Sequence, residues 1–176
     1  MNRAMLFVLS LLITSTAYGQ KPDWPGVSEL VLQGLEQPDL SKLNHGFNRC
    51  VALYMGLSRI LQVDTPDLAL DMDKQGALLL QASQLSSIKI ALDRDNITFD
   101  PVQLTDRNNK AIITFFDMYN KWFDSNYISK GSYFESDPEA KLEIDSCHGL
   151  SSYAQGFIEE TTAAIKEYAD NLSLVN

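Results

Sequence analysis

Each of the chain's two cysteines sits on the apolar stripe of a long helical segment, and that placement limits the fold more than any other feature. From about Leu40 to Gln62, the residues Leu43, Phe47, Cys50, Tyr54, Leu57 and Leu61 recur at alternating steps of four and three. At about 100° per residue they share one face. From about Pro138 to Asn171, the residues Cys147, Leu150, Ala154, Phe157, Thr161, Ala164 and Tyr168 do the same. Two thiols on two apolar stripes predict helices packed face to face and joined by a Cys50–Cys147 disulfide. Closing a loop of about 100 residues is worth roughly 4 to 5 kcal/mol when chain entropy alone is counted.

The prolines divide the rest of the chain. Pro38, Pro66, Pro101 and Pro138 each precede a segment with helical apolar spacing, and proline suits a first helical turn, where its missing N–H is not needed. Thr65-Pro66-Asp67 and Ser136-Asp137-Pro138-Glu139 add capping residues and early carboxylates. A short helix is expected over about Ser28 to Glu36, with Leu30 and Leu35 turned inward. Another is expected over Asp67 to about Leu92. Its Ala77-Leu78-Leu79-Leu80 is apolar on every side, which predicts the most enclosed helix of the set. Residues 88–99 read either as the end of that helix or as a small β-hairpin, since Ile88-Lys89-Ile90-Ala91-Leu92 alternates and Ile97-Thr98-Phe99 is able to return. A further helix, about Thr105 to Tyr127, ends near Lys130-Gly131. Its Ile112, Phe115, Phe116, Tyr119, Trp122, Phe123 and Tyr127 fall on one arc, opposite Asp117, Lys121 and Asp124, which is the pattern of a core face. The fold class is therefore all-α: a single-domain helical bundle of about five helices, stapled by one disulfide.

Residues 1–19, MNRAMLFVLSLLITSTAYG, place Arg3 before an apolar run from Leu6 to Ile13 and end in small and polar residues. This is the pattern of a secretory signal peptide cut before Gln20, with a core too short to span about 30 Å of hydrocarbon. A polar segment, 20–27, follows, and the helical domain takes 28–176. The mature chain is expected in the periplasm or outside the cell, without a membrane span, where two lone cysteines oxidise to one bridge. With 14 basic against 23 acidic residues the formal charge is -9. That balance argues against nucleic acid as a partner and favours a protein with a basic surface.

No catalytic, cofactor or metal signature stands out. There is no C-x-x-C, no Ser-His-Asp order and no calcium loop, since Asp71-Met72-Asp73-Lys74-Gln75-Gly76 lacks the third acidic position. Asp145-x-x-His148 has a spacing known from carboxylate–histidine metal helices, but it faces away from the apolar stripe and lacks further ligands. His45 projects to the polar side of its helix, with Arg49, Ala52 and Arg59. Asn96-Ile97-Thr98 and Asn171-Leu172-Ser173 are glycosylation sequons. Asp64, Asp67, Asp71 and Asp73 form one acidic stretch; Glu135, Asp137, Glu139, Glu143 and Asp145 form another. Asp67, Asp71 and Asp73, with Tyr133 and Phe134 beyond Gly131, are the residues expected to meet a partner.

Cys50-x3-Tyr54-x-Gly56 and Cys147-x5-Tyr153-x2-Gly156 resemble the cysteine, tyrosine and glycine helices of small periplasmic immunity proteins that neutralise type VI secreted peptidoglycan amidases. The resemblance covers these two phrases, departs from the family's spacings, and carries over no inhibitory residue. It implies a helical, disulfide-bonded inhibitor without catalysis. Residues and resemblance together predict a non-catalytic binding protein acting on another protein. The alternative is a small secreted helical enzyme, chorismate-mutase-like in size and class. Such a site needs several convergent cations, whereas Arg49, Arg59, Lys89, Arg94 and Arg107 are scattered along the chain.

Overall fold

The computed structural model describes residues 25–36, 39–94 and 100–173. The signal-peptide reading, the sequon at Asn96 and the returning strand 97–99 lie outside them. Five helices follow in order: α1 (Val27–Glu36), α2 (Leu40–Leu61), α3 (Pro66–Asp93), α4 (Pro101–Lys130) and α5 (Pro138–Ser173). The helical bundle is as expected, and Ile88–Leu92 belongs to α3, not to a hairpin. The fourth helix begins at Pro101, one turn before the expected Thr105. The reason is Asp100, whose carboxylate accepts from the Val102 N–H at 2.9 Å and caps a helix with proline in its first turn. It stops at Gly131, which takes φ 73, a left-handed conformation that costs glycine little. Thr65 precedes α3 but does not cap it; its hydroxyl donates back to the Leu61 carbonyl at 3.4 Å.

The most enclosed helix is α2, and this corrects the expectation placed on α3. Every residue from Gly46 to Tyr54 is buried. In α3, Leu79 is buried, Leu78 and Leu80 are half-buried, and Ala77 is exposed. The other four helices all pack on α2. Its off-stripe positions are small, as at Gly46, Ala52 and Gly56, or are polar groups with partners, as at Asn48 and Arg49. The single Ser83 hydroxyl proton is shared between Asn48 Oδ1, 2.6 Å away, and Asn44 Oδ1, 2.9 Å away. Ser86 also donates to Asn44 Oδ1, at 2.9 Å. Asn108 of α4 completes this cluster: its Oδ1 accepts from Ser87 at 3.1 Å and its Nδ2 donates to Ser87 Oγ at 2.9 Å.

The pairings Asn48 with Asn108, Arg49 with Tyr119 and Arg59 with Asp124 show that α2 and α4 run in the same direction. The helices α3 and α5 return antiparallel to α2. Cys50 and Cys147 are joined, with Cα atoms 5.3 Å apart across 97 residues of sequence. The short helix α1 closes on α2 and α5. A Cβ on Gly34 would lie 2.8 Å from Leu43 Cγ, so only glycine permits that approach. Leu30 is half-buried and Leu35 exposed, because α1 turns Val27 and Gly34 inward instead. No helix among the described residues is long and apolar enough to cross a membrane.

Candidate interaction surface

Arg49, Tyr119 and Glu143 are sealed together in the core. Arg49 is fully buried, and its Nη2 meets Glu143 Oε2 at 2.9 Å. Tyr119, also fully buried, donates to the same oxygen at 2.8 Å. The other carboxylate oxygen, Oε1, accepts from the Val27 N–H at 3.1 Å, and Arg49 Nη1 donates to the Pro25 carbonyl. One carboxylate thereby fixes the start of α1 against α2, α4 and α5. Burial first, and then the Glu143 charge, pushes the Tyr119 hydroxyl far above its ordinary pKa, so it remains a donor. Enclosed on every side, this triad serves as a structural clamp and offers no reacting atom to solvent. Counting Glu143 with a solvated acidic stretch, and Arg49 and Ala52 with a polar helix face, is thus corrected: all three are buried.

Asp137 is likewise no surface acid. Its Oδ1 accepts from the Glu139 and Ala140 N–H groups and caps α5. Its Oδ2 accepts from Asn126 Nδ2 at 2.7 Å, Trp122 Nε1 at 3.2 Å and Lys130 Nζ at 3.2 Å. Burial alone would raise its pKa. The hydrogen bonds from Asn126, Lys130 and the two N–H groups outweigh burial and hold it below the usual carboxylate value. This knot orders the α4–α5 connection, where Asn126 also donates to the Tyr133 carbonyl at 3.1 Å. Trp122 is buried, as its stripe predicts, whereas Tyr127, expected on the same face, is 51% exposed.

Tyr133 and Phe134 are half-buried. Tyr133 stacks on Tyr127 with ring centroids 4.5 Å apart, and Phe134 sets its ring edgewise on Phe123 at 6.2 Å. Asp67, Asp71 and Asp73 are all exposed on the first turns of α3. Asp67 and Asp71 share a face, while Asp73 lies about 200° round the helix from Asp71. Because α2 and α4 run together, the α2–α3 turn, with its aspartates, and the α4–α5 connection, with its aromatics, occupy the same end of the bundle. That end also carries exposed apolar side chains. Val63 is 86% exposed and Ile128 81%, and Leu68, Leu70 and Tyr127 are also exposed. Apolar periodicity assigns leucines and valines to the core, so it gives no warning of these; the one signal in the sequence is that Val63 stands alone between Gln62 and Asp64.

The histidines lie elsewhere. His45 sets its ring edgewise on Phe115 at 5.0 Å; partial burial, with the Arg49 charge second, lowers its pKa. His148 and Asp145 are exposed, and no group of His, Cys, Asp and Glu able to hold a metal occurs among the described residues. Comparison with protein-family models, with curated proteins and with solved structures finds no match to this chain.

Proposed function

We propose that the chain is a non-catalytic binding protein of an oxidising compartment, periplasmic or extracellular, and that it grips another protein with the end of the bundle where α2 turns into α3 and α4 into α5. The observation that carries this reading is the company kept there. Val63, Leu70, Tyr127 and Ile128 are exposed at the same end of the bundle as the exposed carboxylates of Asp64, Asp67 and Asp71. Apolar side chains with a charged surround are the composition of a contact patch, and the net charge of -9 suits a partner with a basic rim. The signal-peptide pattern and the buried disulfide support the compartment.

The test is affinity purification of the mature chain from its own envelope or secreted fraction, beside two variants: Val63→Ser with Ile128→Ser, and Asp67→Asn, Asp71→Asn, Asp73→Asn together. One stoichiometric protein should be retained by the parent and lost by the apolar pair. The aspartate variant should slow association more than it speeds dissociation, and added salt should act the same way. Retention indifferent to both variants and to salt would discard this surface. Turnover of a small metabolite by the purified chain would restore the enzyme reading.

A further inference from the structure

At the opposite end of the bundle, α1, the start of α2, the end of α3 and the middle of α5 enclose a groove of about 200 Å³. It is lined mainly by apolar groups, with the buried Leu43 and Phe157 and half-buried Leu40 beside the buried Thr161, and the exposed Leu35 and Ala164 at its edges. Its rim carries Lys89, Tyr153 and Glu160. The Lys89 ammonium is matched by Asp93 at 3.2 Å. Glu160 makes no ion pair among the described residues, and its charge, after burial, raises the Tyr153 hydroxyl. The rim therefore has one carboxylate to spare. Sites that engulf a free small molecule measure about 300 to 1,000 Å³. This groove is smaller, and its size suits one bulky side chain delivered on a larger body, as the anchor of an interface is.

We infer that the groove seats an apolar side chain of leucine size or larger from a protein partner, whose neighbouring lysine or arginine meets Glu160. The inference rests on the protein-binding reading but on a different face, so the chain has two separate contact regions. The apolar lining supplies the attraction, and the surplus carboxylate on the rim selects a basic neighbour over an acidic one.

The probes are two capped dipeptides, acetyl-leucyl-lysine amide and acetyl-leucyl-glutamate amide, titrated into the full chain and followed by NMR. The lysine peptide should shift the resonances of Leu35, Tyr153, Phe157 and Ala164. It should bind about two- to fivefold more tightly than the glutamate peptide, the preference that one exposed ion pair supplies. Glu160→Gln should erase that preference while leaving the apolar contact. Ala164→Trp, at an exposed position, should fill the groove and abolish both titrations. Equal affinity for the two peptides in the parent, no movement of these resonances at millimolar peptide, or indifference to Ala164→Trp would overturn the inference. So would a parent dimer that Ala164→Trp converts to monomer, since the groove would then belong to a second copy. None of these residues belongs to the Val63 and Ile128 surface, so failure here leaves that contact standing, and the reverse.

Discussion

On one side of α2, Arg49 reaches Glu143 and Tyr119; on another, Asn44 and Asn48 reach Ser83, Ser86, Ser87 and Asn108. Both clusters are buried and polar, and both tie α2 to other helices, yet they are built differently. In the first, one carboxylate accepts from Arg49, Tyr119 and the Val27 N–H, while Arg49 also donates to the Pro25 carbonyl, so a single charged group takes most of the bonds. In the second, acceptors are shared: Asn44 Oδ1 takes two serine hydroxyls, and Asn108 Oδ1 lies within reach of Ser87, Asn44 and Asn48. The charged cluster locks positions far apart in sequence through one shared acceptor. The neutral cluster sets how α2, α3 and α4 align, and the loss of one member leaves others to share its partners.

The sharpest way to break this contrast is to remove one charge. Glu143→Ala strands Arg49 in the core and should lower unfolding stability by about 3 to 5 kcal/mol in a denaturant titration. Arg49→Met with Glu143→Leu removes both charges and should recover most of that loss, because a paired buried charge contributes little net stability over well-packed apolar groups. If the double variant is as unstable as the single one, packing and not charge holds this region. A smaller effect is expected from Asn108→Ala, about 1 to 3 kcal/mol for the polar groups left short of partners. A loss equal to that of Glu143→Ala would erase the distinction between the clusters. The smallest effect concerns Asp137, whose pKa is lowered in the folded chain from an ordinary 3.8. Its contribution is fully present above that value and should fade as pH falls through the lower folded value. Thermal melts of the parent should therefore drop more steeply below pH 4 than those of Asp137→Asn. Parallel acid profiles would show that Asp137 is as free to protonate in the folded chain as in the unfolded one.

The helices, the proline starts of α3 and α5, the Gly131 stop and the disulfide are legible in the sequence, because each follows from apolar spacing or from a residue with a fixed local effect. The polar core is not. Arg49, Asn48, Ser83 and Asn108 carry the same letters as solvated residues, and periodicity reads a polar side chain as facing water whether water or a partner satisfies it. A clue to the charged clamp was present: Arg49 precedes Cys50 by one residue and Glu143 precedes Cys147 by one helical turn, so the bridge brings them near each other. The neutral cluster offered no such pointer. Of the residues expected at a partner surface, the aspartates are exposed and the two aromatics only half so. The strongly exposed Val63 and Ile128 were hidden among letters that normally mean core.

With only two cysteines, the chain has no incorrect internal pairing to make and needs no reshuffling of bridges. It does face a delay. Cys50 is made early, while its mate and the Arg49 counter-charge both arrive on α5, the last helix in the order. Until α5 docks, the Cys50 thiol lacks its bridge and the core lacks the carboxylate that Arg49 meets in the finished fold. A chain interrupted before α5 is thus marked twice, by a free thiol at Cys50 and by the missing carboxylate of Glu143. Those are features that oxidants, chaperones or proteases meet only in the unfinished form.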